Sequence, residues 1–148
     1  MVSIESKLEP MPVGARLIEG AVERTLTHQA VAGDLTILLS DDAQVRDLNR
    51  QYLGIDAATD VLSFPAGEAD PDTGATYLGD VIISVPQAAA QARAAGHGLE
   101  AEVQLLVVHG VLHLLGHDHA QPEAKARMWA AQADVLSQLG LRDMAVGE

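Results

Sequence analysis

The sequence predicts an α+β fold, a single domain in which a small mixed sheet of about four strands packs with about five helices. Three observations carry this. Short apolar and β-branched runs, bounded by turn formers, recur among longer stretches whose apolar residues repeat at helical spacing. Their order is strand, helix, strand, helix, two strands, three helices, which departs from a regular βαβ repeat. The 148 residues suit one core, and with 48% apolar but only 3% aromatic content that core is aliphatic.

The first residues form a short strand. From Pro12 to about Ala30, the residues Leu17, Ile18, Ala21, Val22 and Leu26 mark the inner face of a helix. Asp34 to Ser40 is short, apolar and β-branched, hence a buried strand. Ser40 or Asp41 caps a helix running to about Tyr52, with Val45, Leu48 and Tyr52 inward and Gly54 at its end. Thr59 to Pro65 reads as a strand that Pro65 stops, which favours an edge or strand-end position. Gly67 to Gly74 is acidic and turn-rich and reads as a mobile loop. Tyr77 to Ser84 supplies the next strand. Ser84 then caps a helix that carries Pro86 in its first turn and runs to Gly96. Gly98 opens a strongly apolar helix from Leu99 to Leu115, and Pro122 to Leu139 is the last helix, closed by Gly140.

Composition excludes several classes. There are no cysteines, so disulfide scaffolds, thiolate metal sites and cysteine nucleophiles are out, in keeping with a reducing cytoplasm. The N-terminal residues show no basic stretch followed by an apolar run, and no apolar run is long enough to cross a bilayer. The expectation is a soluble, cytoplasmic chain with no membrane partner. The formal charge of −12 removes the general attraction for phosphate that nucleic-acid binders show. An RNA role then needs a local basic patch or a metal; a DNA partner is not expected.

Four of the six histidines fall between His109 and His119. His109 and His113 are four residues apart within a helical pattern, so they project from one face, one turn apart. A catalytic zinc ion takes three protein ligands near 2 Å and keeps a fourth position for water. His117 would extend the ladder only on a continuing helix, about 12 Å along the axis from His109, too far for one ion. Gly116 can instead adopt a left-handed conformation and turn the chain back, so that His119 returns to the ion. The metal ligands are therefore His109, His113 and His119, for one Zn²⁺. The spacing His-x-x-x-His-x-x-Gly-x-x-His is also that of a zinc protease signature, but the Glu that follows its first His as general base is here Gly110. A purely structural zinc would need a fourth protein ligand, for which His117 and Asp118 lie close in sequence.

With these residues in hand, the chain resembles the YbeY family of bacterial zinc endoribonucleases. The family signature His-Gly-x-Leu-His-Leu-x-Gly-aromatic-Asp-His is matched from His109 to His119. A second block is matched by Leu48, Asn49, Tyr52, Asp56 and the run from Thr59 to Pro65, and a third by Leu78 to Ser84. The sequence departs from the family at His117, where Tyr is usual, and at Leu53, where Arg is usual; Arg46 or Arg50 could supply the missing phosphate contact. The resemblance implies a zinc-dependent, single-strand-specific endoribonuclease. It implies action in maturation of the small-subunit 3′ end of ribosomal RNA and in ribosome quality control. The implied partners are ribosomal RNA and the small ribosomal subunit or its assembly GTPase.

Other matched residues carry two readings each. Ser63 either bonds substrate along the cleft or satisfies backbone. Asp118 either orients a ligating imidazole through its free N–H or caps the following helix. The chemistry implied is metal-assisted phosphodiester hydrolysis. The rival classes are a zinc hydrolase of a peptide or small molecule, disfavoured by Gly110, and a ribosome-assembly binding protein with structural zinc.

Overall fold

A computed structural model of the chain describes residues 2–69, 71–72 and 74–141. The elements run β1 (Val2–Ser6), α1 (Ala15–His28), β2 (Asp34–Ser40), α2 (Asp42–Leu53), β3 (Val61–Ala69), β4 (Thr76–Ser84), α3 (Val85–Ala95), α4 (Leu99–Leu114) and α5 (Pro122–Gln138). This is the expected α+β order. The one four-stranded sheet has the order β1-β2-β4-β3, with β1, β2 and β4 parallel and β3 antiparallel to β4. Both expected caps form: Asp41 accepts the Gln44 N–H at 2.8 Å, and Ser84 Oγ accepts that of Gln87 at 3.4 Å.

Two boundaries differ from the sequence reading. α1 begins at Ala15 and not at Pro12, because Gly14 is still extended (φ −61°, ψ 139°) at the N-cap. β3 does not stop at Pro65; it continues through a register shift to Ala69. Pro65 is tolerated because β3 is the edge strand and faces Gly79 across the ladder. Gly79 has φ 139°, and a Cβ there would lie 2.3 Å from the Phe64 carbonyl, so only glycine fits that approach. The Gly67–Gly74 segment therefore gives its first residues to a strand, while Asp70 and Thr73 lie outside the described residues.

α4 runs through the middle of the molecule. Leu105, Leu106, Val107, Val108, Val111 and Leu112 point around the whole helix, yet all are 0% exposed. A helix apolar on every side belongs inside, and here α1, α3, α5 and the sheet surround it. α2 covers the opposite face of the sheet, with Val45 against Leu62 and Ile82. The close seating of α4 depends on Gly110. A Cβ there would stand 2.6 Å from Val81 Cγ1 and 3.3 Å from Ser63 Oγ and Val61 Cγ2. Any larger residue lifts α4 off the strands, and with it the two histidines it carries.

Candidate metal centre

His109 and His113 project from successive turns of α4, and their Nε2 atoms stand 3.1 Å apart. The helix ends in a hydrogen-bonded reversal: Gly116 N–H reaches the His113 carbonyl at 3.1 Å and His117 N–H the Leu112 carbonyl at 3.0 Å. Gly116 takes the left-handed conformation (φ 96°) that this motif requires. The chain thereby returns His119 to the pair, and the three ligand nitrogens lie within 4.8 Å of one another. His117 points elsewhere and donates Nε2–H to Gln29 Oε1 at 2.7 Å. The exclusion argued from helix geometry is the arrangement found.

His109 and His113 are set up to be neutral. Burial pushes His109 down to about 4 and also lowers His113, to which the neighbouring charge of His119 adds. His109 is 4% exposed, and its Nδ1 lies 3.0 Å from Oε1 of Gln132, itself buried, on α5. A carbonyl oxygen only accepts, so Nδ1 carries the proton and Nε2 presents its lone pair to the centre. Two imidazole nitrogens that face each other at 3.1 Å need a cation or a proton between them. Ligands about 2.0–2.1 Å from one tetrahedral ion stand about 3.3 Å apart, so these residues fit a metal ion. No other His, Asp or Glu joins the group among the described residues.

The centre forms the floor of an open pocket of about 570 Å³. Besides the histidines it is lined by Thr59 to Ser63 and Pro65 from β3 and the residues before it, by Lys125 and Trp129 of α5, and by Leu53 of α2. Trp129 stands edge-on to both His109 and His119, at 5.9 and 5.6 Å between ring centres. Asp60, in that lining, accepts from Gln91 Nε2 at 3.3 Å and favours the charged form of His109.

The other residues singled out in the sequence are distributed differently. Ser63 lines the pocket and donates its hydroxyl to the Gly110 carbonyl at 3.0 Å, tying β3 to α4. Asp118 does not hold a ligating imidazole: its Oδ1 accepts the Ala120 N–H at 3.1 Å in an exposed turn, and Gln132 does the orienting. Arg46 and Arg50 are not among the residues lining the pocket. Arg46 pairs with Asp56 at 2.7 Å and Arg50 with Asp47, all exposed. The sequence reading missed Gln132, Lys125 and Trp129. Their signal was a polar and aromatic stripe at i, i+4 and i+7 along α5, with Gln132 set among the buried Met128, Ala131, Val135 and Leu136.

Three clustered imidazoles lining an open pocket, carried by a helix and its reversed end, define a metal-dependent hydrolase. The family profile described as Endoribonuclease YbeY matches residues 6–140, and the chain belongs to that family. It is 47% identical to the Endoribonuclease YbeY of Roseiflexus sp. (strain RS-1), over 87% of this chain and 86% of that relative. It is 42% identical to the Endoribonuclease YbeY of Moorella thermoacetica, over 95% of this chain and 97% of that relative. The solution structure of TM1509 from Thermotoga maritima shares the fold, with a TM-score of 0.59 over 100% of this chain and 99% of that one at 23% identity.

Proposed function

We propose that the chain is a zinc-dependent endoribonuclease that cuts single-stranded RNA in the cytoplasm. Its substrate on this reading is ribosomal RNA near the small-subunit 3′ end, in maturation and in ribosome quality control. The carrying observation is that the three-histidine centre opens onto a pocket and lacks a fourth protein ligand among the described residues. That favours a catalytic over a structural ion, because the two neighbours able to complete a closed site are engaged elsewhere: His117 with Gln29 and Asp118 with Ala120. When bound, zinc lowers the pKa of a coordinated water towards neutrality and polarises a phosphoryl oxygen.

The protein's own groups do the rest. His109, His113 and His119 hold the ion only while neutral, and burial favours the neutral form of His109 and His113. Ser63 spends its proton on Gly110 and so faces the pocket as an acceptor, suited to a ribose 2′-hydroxyl. The peptide-hydrolase alternative lacks its base, because the space beside Gly110 is filled by Val81, Val61 and Ser63. With a charge of −12 the chain attracts RNA weakly, so the small ribosomal subunit or its assembly GTPase is proposed to deliver the substrate. No helix among the described residues is long and apolar enough to cross a membrane.

The test is to incubate metal-characterised protein with single-stranded RNA and with a peptide panel, beside His113→Ala. RNA is expected to be cut by the parent alone and peptides by neither. Cleavage that survives loss of His113 comes from a contaminant and refutes the proposal.

A further inference from the structure

Lys125 and Trp129 stand one turn apart on α5, and both line the pocket of the three histidines. Among the described residues, Lys125 is the only Lys or Arg that lines it. Its Nζ sits over the Trp129 ring, 5.5 Å from the centroid, and that ring abuts His109 and His119. The ammonium therefore makes a cation–π contact beside the three imidazoles. Leu53 of α2 adds an apolar side chain to the lining, and Arg46 and Arg50 of the same helix are not part of it.

We infer that Lys125 contacts a phosphate of the substrate, with Trp129 as the positioning residue that holds its ammonium at the pocket. In a chain of charge −12 the mean field repels a polyanion, so a phosphate ester that reaches the histidines needs a cation at the pocket itself. α5 supplies it. The strand then enters along α5 and not over α2. This rests on the RNA-cleaving reading for the identity of the substrate, but the phosphate contact is tested without cleavage.

The experiment uses the zinc-loaded chain and a short single-stranded RNA with phosphorothioate linkages, which keep the charge of each phosphate and every 2′-hydroxyl and slow cleavage, its integrity checked on a gel after each measurement. Affinity is measured over a range of salt for the parent, Lys125→Gln, Lys125→Arg, Arg46→Gln and Arg50→Gln, with folding checked by circular dichroism. Each phosphate neutralised on a single strand contributes about 0.7 to the log–log salt slope. Lys125→Gln is expected to weaken low-salt binding about tenfold and to lower the slope by about 0.7, whereas Lys125→Arg keeps it. A merely structural lysine would not move the slope. An unchanged slope in Lys125→Gln overturns the inference. So does a loss that tracks Arg46 or Arg50, or a parent chain that does not bind the oligonucleotide at low salt. Cleavage of ordinary RNA is scored separately: Lys125-dependent binding without cleavage sinks the RNA-cleaving reading and leaves the phosphate contact standing.

Discussion

Replacing Gln132 with leucine removes the acceptor that holds His109 Nδ1 while keeping about the volume of the side chain. The structure sets the size of the effect. Both residues are buried, at 3% and 4% exposure, and the Nδ1···Oε1 distance is 3.0 Å, so no solvent water takes the place of the lost oxygen. An orphaned buried N–H costs about 1–3 kcal/mol, which appears as lower stability of the metal-free chain. The consequence for the metal is separate. Without an acceptor at Nδ1, either ring nitrogen can carry the proton, and the tautomer with Nε2–H does not ligate. Loss of such an orienting partner lowers metal affinity about 10–100-fold, or about 1.4–2.8 kcal/mol.

The assay is competition for zinc against a chelator of known affinity. It is read by the fluorescence of Trp129, the only tryptophan in the chain, whose ring lies within 5.9 Å of His109 and His119. Urea denaturation of the metal-free protein runs beside it. Gln132→Glu supplies an acceptor again and is expected to restore binding. If the leucine variant binds zinc within about twofold of the parent, Gln132 serves stability alone and the orienting argument is wrong.

Two further predictions follow from packing and protonation. Gly110→Ala is expected to destabilise the fold by about 1–3 kcal/mol, because its Cβ lands 2.6 Å from a methyl of Val81, a side chain with little freedom to move. The urea midpoint should fall, and an unchanged midpoint refutes the close seating of α4. Burial holds His109 at about 4 against an ordinary 6.5, so the fold favours its neutral form, and as pH falls the unfolded chain takes up that proton first. Stability of the metal-free protein is therefore full above about pH 6.5 and is lost towards pH 4, by on the order of 3 kcal/mol from this group. His113, also lowered, acts in the same sense. Denaturation curves between about pH 7 and 5 that show constant or rising stability on acidification contradict this.

Much of the fold was legible because local chemistry fixed it. The limits of β2 fell where the apolar run ends, and Asp41, Ser84 and Gly54 capped helices as their side chains or backbone freedom dictate. The errors came where a neighbour outvoted a local rule. Pro65 stops a strand only if its missing N–H is needed, and beside a glycine on an edge it is not. Strand order was not legible, since nothing local in β1 to β4 states which edges meet.

The metal centre divides along the same line. His109, His113, Gly116 and His119 lie within eleven residues, and helix pitch plus one left-handed glycine relates them without reference to the rest of the chain. What surrounds them comes from elements distant in sequence. Gln132, Trp129 and Lys125 reach the centre only because α5 folds back along α4, and Asp118, adjacent in sequence, turns out to serve its own turn. The same holds for charge. Arg46 and Arg50 were considered as substitutes for the arginine usual at Leu53, yet they pair with Asp56 and Asp47. Proximity in sequence therefore found the three histidines that the structure brings together, but not the groups that surround them. Ligands share one helix and its end, whereas the groups that orient them and meet the substrate must approach from other directions.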